Sequence, residues 1–159
     1  MLGVPVGAHL VDGVIDLSRH AREQGSIIVL IATDVPLTPT QLQRLAKRGA
    51  LGIGRTGTTG GHYSGDLILA FSTANEFYLP AIGEPQPHRF RTEWLNDAHL
   101  DDVYRATVEA IEESVLNALL AAESVPTIKP AGSVLQAIDH ADLLALMHRY
   151  GRVPRSRPA

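Results

Sequence analysis

Residues 26–33 (SIIVLIAT) are β-branched and apolar at nearly every position, with Gly25 before them and Asp34, Val35 and Pro36 after. An unbroken run of this kind predicts a strand covered on both faces. Thr38-Pro39-Thr40-Gln41 follows. A Thr with Gln three residues on, and Pro at the first helical position, is a capping-box signature that starts a helix at about Thr38. Leu42, Leu45, Ala46 and Ile53 keep helical spacing while Gln41, Gln43, Arg44, Lys47 and Arg48 take the water side. Gly49, Gly52 and Gly54 weaken the pattern, so the helix is expected to fade near Gly52.

The run 49–61 holds six glycines and reads as a loop whose backbone can approach other groups closely. Residues 64–73 (SGDLILAFST) resume an apolar strand, polar only at its entry and exit, and both strands look central. Pro80, Gly83, Pro85 and Pro87 mark an irregular connection, and 89–97, with Trp94, a surface loop. Leu100, Val103, Tyr104, Val108, Ile111, Val115, Leu119 and Ala122 recur at three- and four-residue steps and predict a long helix from Leu100. Asp101, Asp102, Arg105, Glu109, Glu112 and Glu113 take its other side, with Asp101 and Asp102 at the positive end of the dipole. Residues 133–149 read as a second amphipathic helix, and 151–159 as a basic, disordered tail. No internal repeat is visible.

At 159 residues, with 45% hydrophobic and 19% charged positions, the chain suits one α/β domain over 1–150. It has no Cys, which removes disulfides, thiolate metal sites and cysteine nucleophiles from consideration. A net charge of −3 leaves no electrostatic footprint for nucleic acid outside the basic tail. The opening residues 1–17 lack the basic start and apolar run of a signal peptide. The longest apolar runs, such as 27–32, fall short of a membrane span, so a cytoplasmic protein with no membrane partner is expected.

Several motifs invite chemistry. Residues 52–57 (GIGRTG) match a dinucleotide-binding string, with Glu76 nineteen residues after Gly57 as a ribose ligand. That fingerprint must leave a strand and open a helix, whereas here a helix precedes and a strand follows. The seven histidines (9, 20, 62, 88, 99, 140 and 148) contain no HExxH pattern, and only His140 and His148 share a predicted helix, too far apart for one ion. Neither metal nor cofactor is expected. A Ser/His/Asp triad could be assembled from Ser26 or Ser64, His62 and Asp66, but no GxSxG elbow supports it.

Ser64 and Asp66 are two apart at a strand entry and so project to one face. A carboxylate there is either solvated at the strand end or held in a polar site. Gly25-Ser26 places a hydroxyl at the first position of the other strand. Were the bond between them cut, Ser26 would carry both a nucleophile and a free α-amine, whose ordinary pKa of about 7.7–8.0 suits a general base near neutral pH.

The segments GSIIVLIATDVPLTPTQLQRLAKRGALGIGRTGTTGGHYSGDLILAFSTAN and LDDVYRATVEAIEESVLNALLAAES resemble the self-cleaving N-terminal-nucleophile serine peptidases, which include L-aminopeptidase/D-esterases and β-peptidyl aminopeptidases. The resemblance implies Ser26 as the nucleophile released by autoproteolysis after Gly25, Ser64 bonded to it, and Asp66 as the acidic residue orienting the network. Family members usually carry Glu at this last position. It also implies an αββα four-layer sandwich, of which this chain would hold the C-terminal part, with 26–150 as the small nucleophile-bearing subunit. Family members have a much longer segment before the nucleophile, supplying the Tyr and Asn of the oxyanion hole. Partners would then be a small peptide, amide or ester substrate, and either further copies of the chain or a separate N-terminal subunit. A non-catalytic binding or assembly module and an acyltransferase on the same scaffold are the competing expectations.

Overall fold

The computed structural model describes residues 1–10, 25–77, 80–85, 87–128 and 131–153. In chain order its elements are α1 (Val6–His9), β1 (Ile28–Thr33), α2 (Pro39–Arg55), β2 (Leu67–Ser72), α3 (Leu100–Ala121), β3 (Val125–Pro126), β4 (Val134–Leu135) and α4 (His140–Arg149). Two compact units divide them, Glu23–Glu112 on one hand and Met1–Arg22 with Glu113–Ala159 on the other. The sequence readings at His20 and in the tail 154–159 lie outside the described residues.

The unit Glu23–Glu112 is built on a β-α-β crossover. β1 and β2 run parallel, from Ile28 opposite Leu67 to Thr33 opposite Ser72, with α2 between them in sequence. Burial alternates strictly along both strands. On the half-buried face, Ile31 and Ala70 pack against a core of Leu37, Leu45 and Leu100, joined by Val35, Leu42, Leu95, Val103 and Tyr104. On the other face Ile28, Leu30, Leu67 and Leu69 are 59–73% exposed. The expectation of two strands covered on both faces is therefore corrected. An unbroken apolar run says that both faces avoid water, and only one cover lies among the described residues.

α2 starts where its cap places it. Thr38 Oγ1 accepts from Gln41 N–H at 3.3 Å and Gln41 Oε1 accepts from Thr38 N–H at 2.9 Å. Gln41, read from periodicity as a water-facing residue, is buried. Its amide also donates to Leu95 O at 2.8 Å and to Asp97 Oδ1 at 2.7 Å, so every polar contact that burial removes is replaced.

The helix runs to Arg55 rather than fading near Gly52, because Gly49 and Gly52 serve packing. A Cβ at Gly52 would lie 2.8 Å from Ile111 Cβ and 2.9 Å from the Val108 carbonyl oxygen. One at Gly49 would lie 2.8 Å from Ile68 Cδ1. A glycine costs a helix about 1 kcal/mol relative to alanine, and here it permits a close approach that any side chain would block.

Asp97 links this helix to the chain before α3. Its carboxylate pairs with Arg44 Nη1 at 2.8 Å, and the Arg44 bond, then the Gln41 amide, hold its pKa below the ordinary value. A carboxyl depressed by folding stabilises the folded state above its unfolded pKa, and that contribution is lost as pH falls through the folded pKa. We expect the melting temperature to fall on acidification below about pH 4, less steeply in Asp97→Asn than in the parent. Equal acid slopes would refute a role for this carboxylate.

In the other unit, Val4, Val6, Leu143 and Leu146 form a core with Met1, Leu10, Ile138 and Met147 around α1 and α4. β3 and β4 pair antiparallel, Val125 with Leu135 and Pro126 with Val134. The helix expected from 133 therefore begins only at His140. Val134 and Leu135 are taken by a strand pair, and Asp139 caps α4 by accepting from Ala141 N–H at 2.8 Å and Asp142 N–H at 3.0 Å. No described helix is long and apolar enough to cross a membrane.

Candidate active site

Parallel pairing brings the amino ends of β1 and β2 side by side, and with them the residues that lead into each strand. Leu67 N–H donates to Ile27 O at 2.9 Å, fixing the lead-in of one strand against that of the other. One position earlier, Ile27 N–H donates to Asp66 Oδ1 at 3.1 Å. Earlier still, Gly65 N–H donates to Ser26 Oγ at 2.9 Å. Ser64 Oγ donates to the same Asp66 Oδ1 at 2.7 Å.

Ser26, Ser64 and Asp66, drawn from segments about forty positions apart, thus stand in one hydrogen-bonded cluster at the mouth of the sheet. Ser26, Gly65 and Asp66 are exposed and Ser64 is half-buried. Gly25, whose peptide bond to Ser26 the self-cleavage reading concerns, is also exposed.

Two details differ from expectation. Residues 64–66 precede β2 rather than forming its first positions, so Ser64 and Asp66 meet through a direct bond rather than by strand pleating. The direct bond between Ser64 and Ser26 is absent among the described hydrogen bonds, and the partner of Ser26 Oγ is the backbone of Gly65. Asp66 satisfies both alternatives left open for it, being exposed and bonded by two donors. Gly65 was the residue that side-chain chemistry could not reveal, because its contribution is a main-chain N–H. The signal available was its lack of a side chain between two candidate residues.

The loop before this cluster is shorter than the glycine count suggested, since Gly49, Gly52 and Gly54 lie within α2. Gly57 and Gly60 take positive φ (115° and 65°), and a turn closed by Ser64 N–H on Gly61 O at 2.9 Å delivers the chain to Ser64. His62 stacks edge-on against Tyr63 with ring centroids 5.0 Å apart and bonds none of Ser26, Ser64 or Asp66, which removes it from a triad. The GxGxxG string sits at the end of α2 and runs into β2, the reverse of a dinucleotide site. Among the described residues no group of three His, Asp or Glu side chains is placed to hold a metal ion.

The carboxyl ends of the strands carry a different feature, an open cleft lined by Asn75, Phe77, Phe90 and Trp94 among others. Asn75 clamps its two sides, accepting from Glu93 N–H at 2.9 Å and donating to Glu93 O at 3.0 Å.

Comparison with known proteins bears on the serine cluster. The chain is 34% identical over 166 residues to the β-peptidyl aminopeptidase BapA of Sphingosinicella microcystinivorans, covering 98% of this chain and 40% of that protein. Among solved structures, the L-aminopeptidase D-Ala-esterase/amidase of Ochrobactrum anthropi superposes with a TM-score of 0.82 at 45% identity, covering 97% of this chain and 40% of that one. It is described as a serine aminopeptidase and a variant of the Ntn hydrolase fold, so the α/β architecture here is part of that fold. The PH0078 protein of Pyrococcus horikoshii OT3 matches with a TM-score of 0.77 at 38% identity, over 96% of this chain and 39% of that one. The chain spans about 40% of the length of these relatives. Residues 1–131, which include the whole serine cluster, match the family model of Peptidase family S58, and the chain belongs to that family.

Proposed function

We propose that this chain carries the nucleophile of a serine aminopeptidase or amidase that releases N-terminal residues from small peptides, amides or esters, after self-cleavage between Gly25 and Ser26. The observation that carries this reading is the exposed Ser26, whose hydroxyl accepts from Gly65 N–H while the next residue, Ile27, bonds Asp66, at the amino ends of two paired strands.

In self-cleavage, Ser26 Oγ adds to the Gly25 carbonyl carbon and the Gly25–Ser26 C–N bond breaks. The hydroxyl proton ends on the Ser26 nitrogen. Water then hydrolyses the resulting ester, leaving a Gly25 carboxylate and Ser26 with a free α-amine and a free hydroxyl. In turnover, that hydroxyl attacks the substrate carbonyl and gives its proton to the α-amine, which hands it to the departing amine. Water resolves the acyl-enzyme and restores Ser26.

Ser64 and Asp66 support this chemistry by position. With Ser64 Oγ and Ile27 N–H both on Oδ1, the second oxygen of Asp66 is left to accept from the α-ammonium as it forms one residue before Ile27. The test is the intact mass of the purified protein. We expect two polypeptides whose masses divide the chain after Gly25. An uncut chain that still turns over substrate would overturn the mechanism.

A further inference from the structure

Among the described hydrogen bonds, the one that reaches Ser26 Oγ comes from a backbone group, Gly65 N–H at 2.9 Å. Resting on the reading of Ser26 as the nucleophile, we propose that the Gly65 N–H is a catalytic donor. It holds the negative charge that builds on Ser26 Oγ as the hydroxyl loses its proton, and again as the acyl-enzyme ester breaks.

A hydrogen bond to the charged form of a group favours that form, and a bond from N–H to an anionic oxygen is about twice as strong as one to a neutral oxygen. The contact therefore tightens as the reaction proceeds, which is the condition for lowering a barrier rather than merely binding. The donor is held in place beforehand. Residues 65–67 are tied to 26–27 by three bonds in succession, Gly65 N–H to Ser26 Oγ, Ile27 N–H to Asp66 Oδ1 and Leu67 N–H to Ile27 O. Little reorganisation is then needed when charge appears.

The same bond settles the direction of the hydroxyl. With one lone pair of Oγ occupied by Gly65, the O–H points elsewhere and is free for a base. The absence of a side chain matters too. A Cβ at position 65 would lie 3.5 Å from Ser26 Oγ, an ordinary contact with a bare hydroxyl, and anything bulkier would crowd an acyl group on that oxygen.

The test replaces Gly65 with glycolic acid by nonsense suppression in the full chain, which exchanges the N–H for an ester oxygen and leaves the remaining atoms in place. The readout is the rate at which a small phosphonate probe labels Ser26, with thermal unfolding as the check on folding. We expect labelling to slow by about 10²–10³-fold in the ester variant, the usual cost of losing one such donor. An ester variant that labels like the parent overturns the proposal.

Should the ester variant fail to fold, the parent alone decides the matter. The Gly65 amide proton resonance is expected to move upfield when Ser26 is phosphonylated, because the hydroxyl oxygen it bonds becomes a weaker-accepting ester oxygen, and a resonance that stays put is equally fatal. A parent that takes no label at Ser26 overturns the reading of the nucleophile itself, an outcome distinct from either of these.

Discussion

Ser26→Ala is expected to give one polypeptide on a denaturing gel where the parent gives two, and to lower hydrolysis by a factor on the order of 10⁶, the scale seen when a serine nucleophile is removed outright. The substitution deletes one oxygen and keeps the Cβ. Ser26 is exposed and precedes β1, and its hydroxyl makes one described hydrogen bond, to the backbone of Gly65. The fold has little reason to respond, so the melting temperature should stay close to that of the parent. Two bands in both proteins would remove Ser26 from self-cleavage. Full hydrolysis by the alanine variant would remove it from catalysis.

The largest effect on stability is expected at Leu45, which is 1% exposed at the centre of the cluster formed with Leu37 and Leu100. Leu45→Ala withdraws most of a buried side chain from between α2, the sheet and the start of α3, and should cost about 2–5 kcal/mol in a urea titration. Leu51 offers an internal control on the same helix. It is 61% exposed, and its replacement by alanine should stay within about 0.5 kcal/mol. Equal shifts at the two positions would mean that the Leu37–Leu45–Leu100 cluster is not the core of this unit.

Much of this was legible in the residues. The capping box at Thr38 and Gln41 fixes the start of α2, and the spacing from Leu100 onward fixes α3, because both signals are local and close within one or two turns of chain. The lower reach of α2 was misread because glycine has two meanings. Propensity counts it against a helix, while Gly52 lies against Ile111 and Val108, neighbours that no local window contains. Gln41 was misread for a similar reason. Its carbonyl and amine are satisfied by Thr38, Leu95 and Asp97, partners up to 56 positions away. The residues 133–139 looked helical by periodicity and went to a strand pair, where two-residue partners at 125–126 override the pattern.

The candidate site divides along the same line. Ser26, Ser64 and Asp66 were named from the resemblance, and the spacing of the last two already placed them together. What ties the Ser26 segment to the other two is main-chain: the N–H groups of Ile27 and Gly65, supplied by parallel pairing of segments about forty residues apart. No inspection of side-chain types exposes a backbone donor, and the register that positions it exists only once β1 and β2 have met.

The bare side of that pair has a practical side. Ile28, Leu30, Leu67 and Leu69 form a contiguous greasy tile, and among the described residues each strand has just one strand neighbour, leaving both outer edges without a strand partner. Such a tile is a template for sticking to any similar surface. In a preparation of this chain by itself, elution on gel filtration will therefore follow protein concentration and mild detergent, and a hydrophobic dye such as ANS will fluoresce with a fully folded sample, where it would ordinarily be taken as a sign of damage.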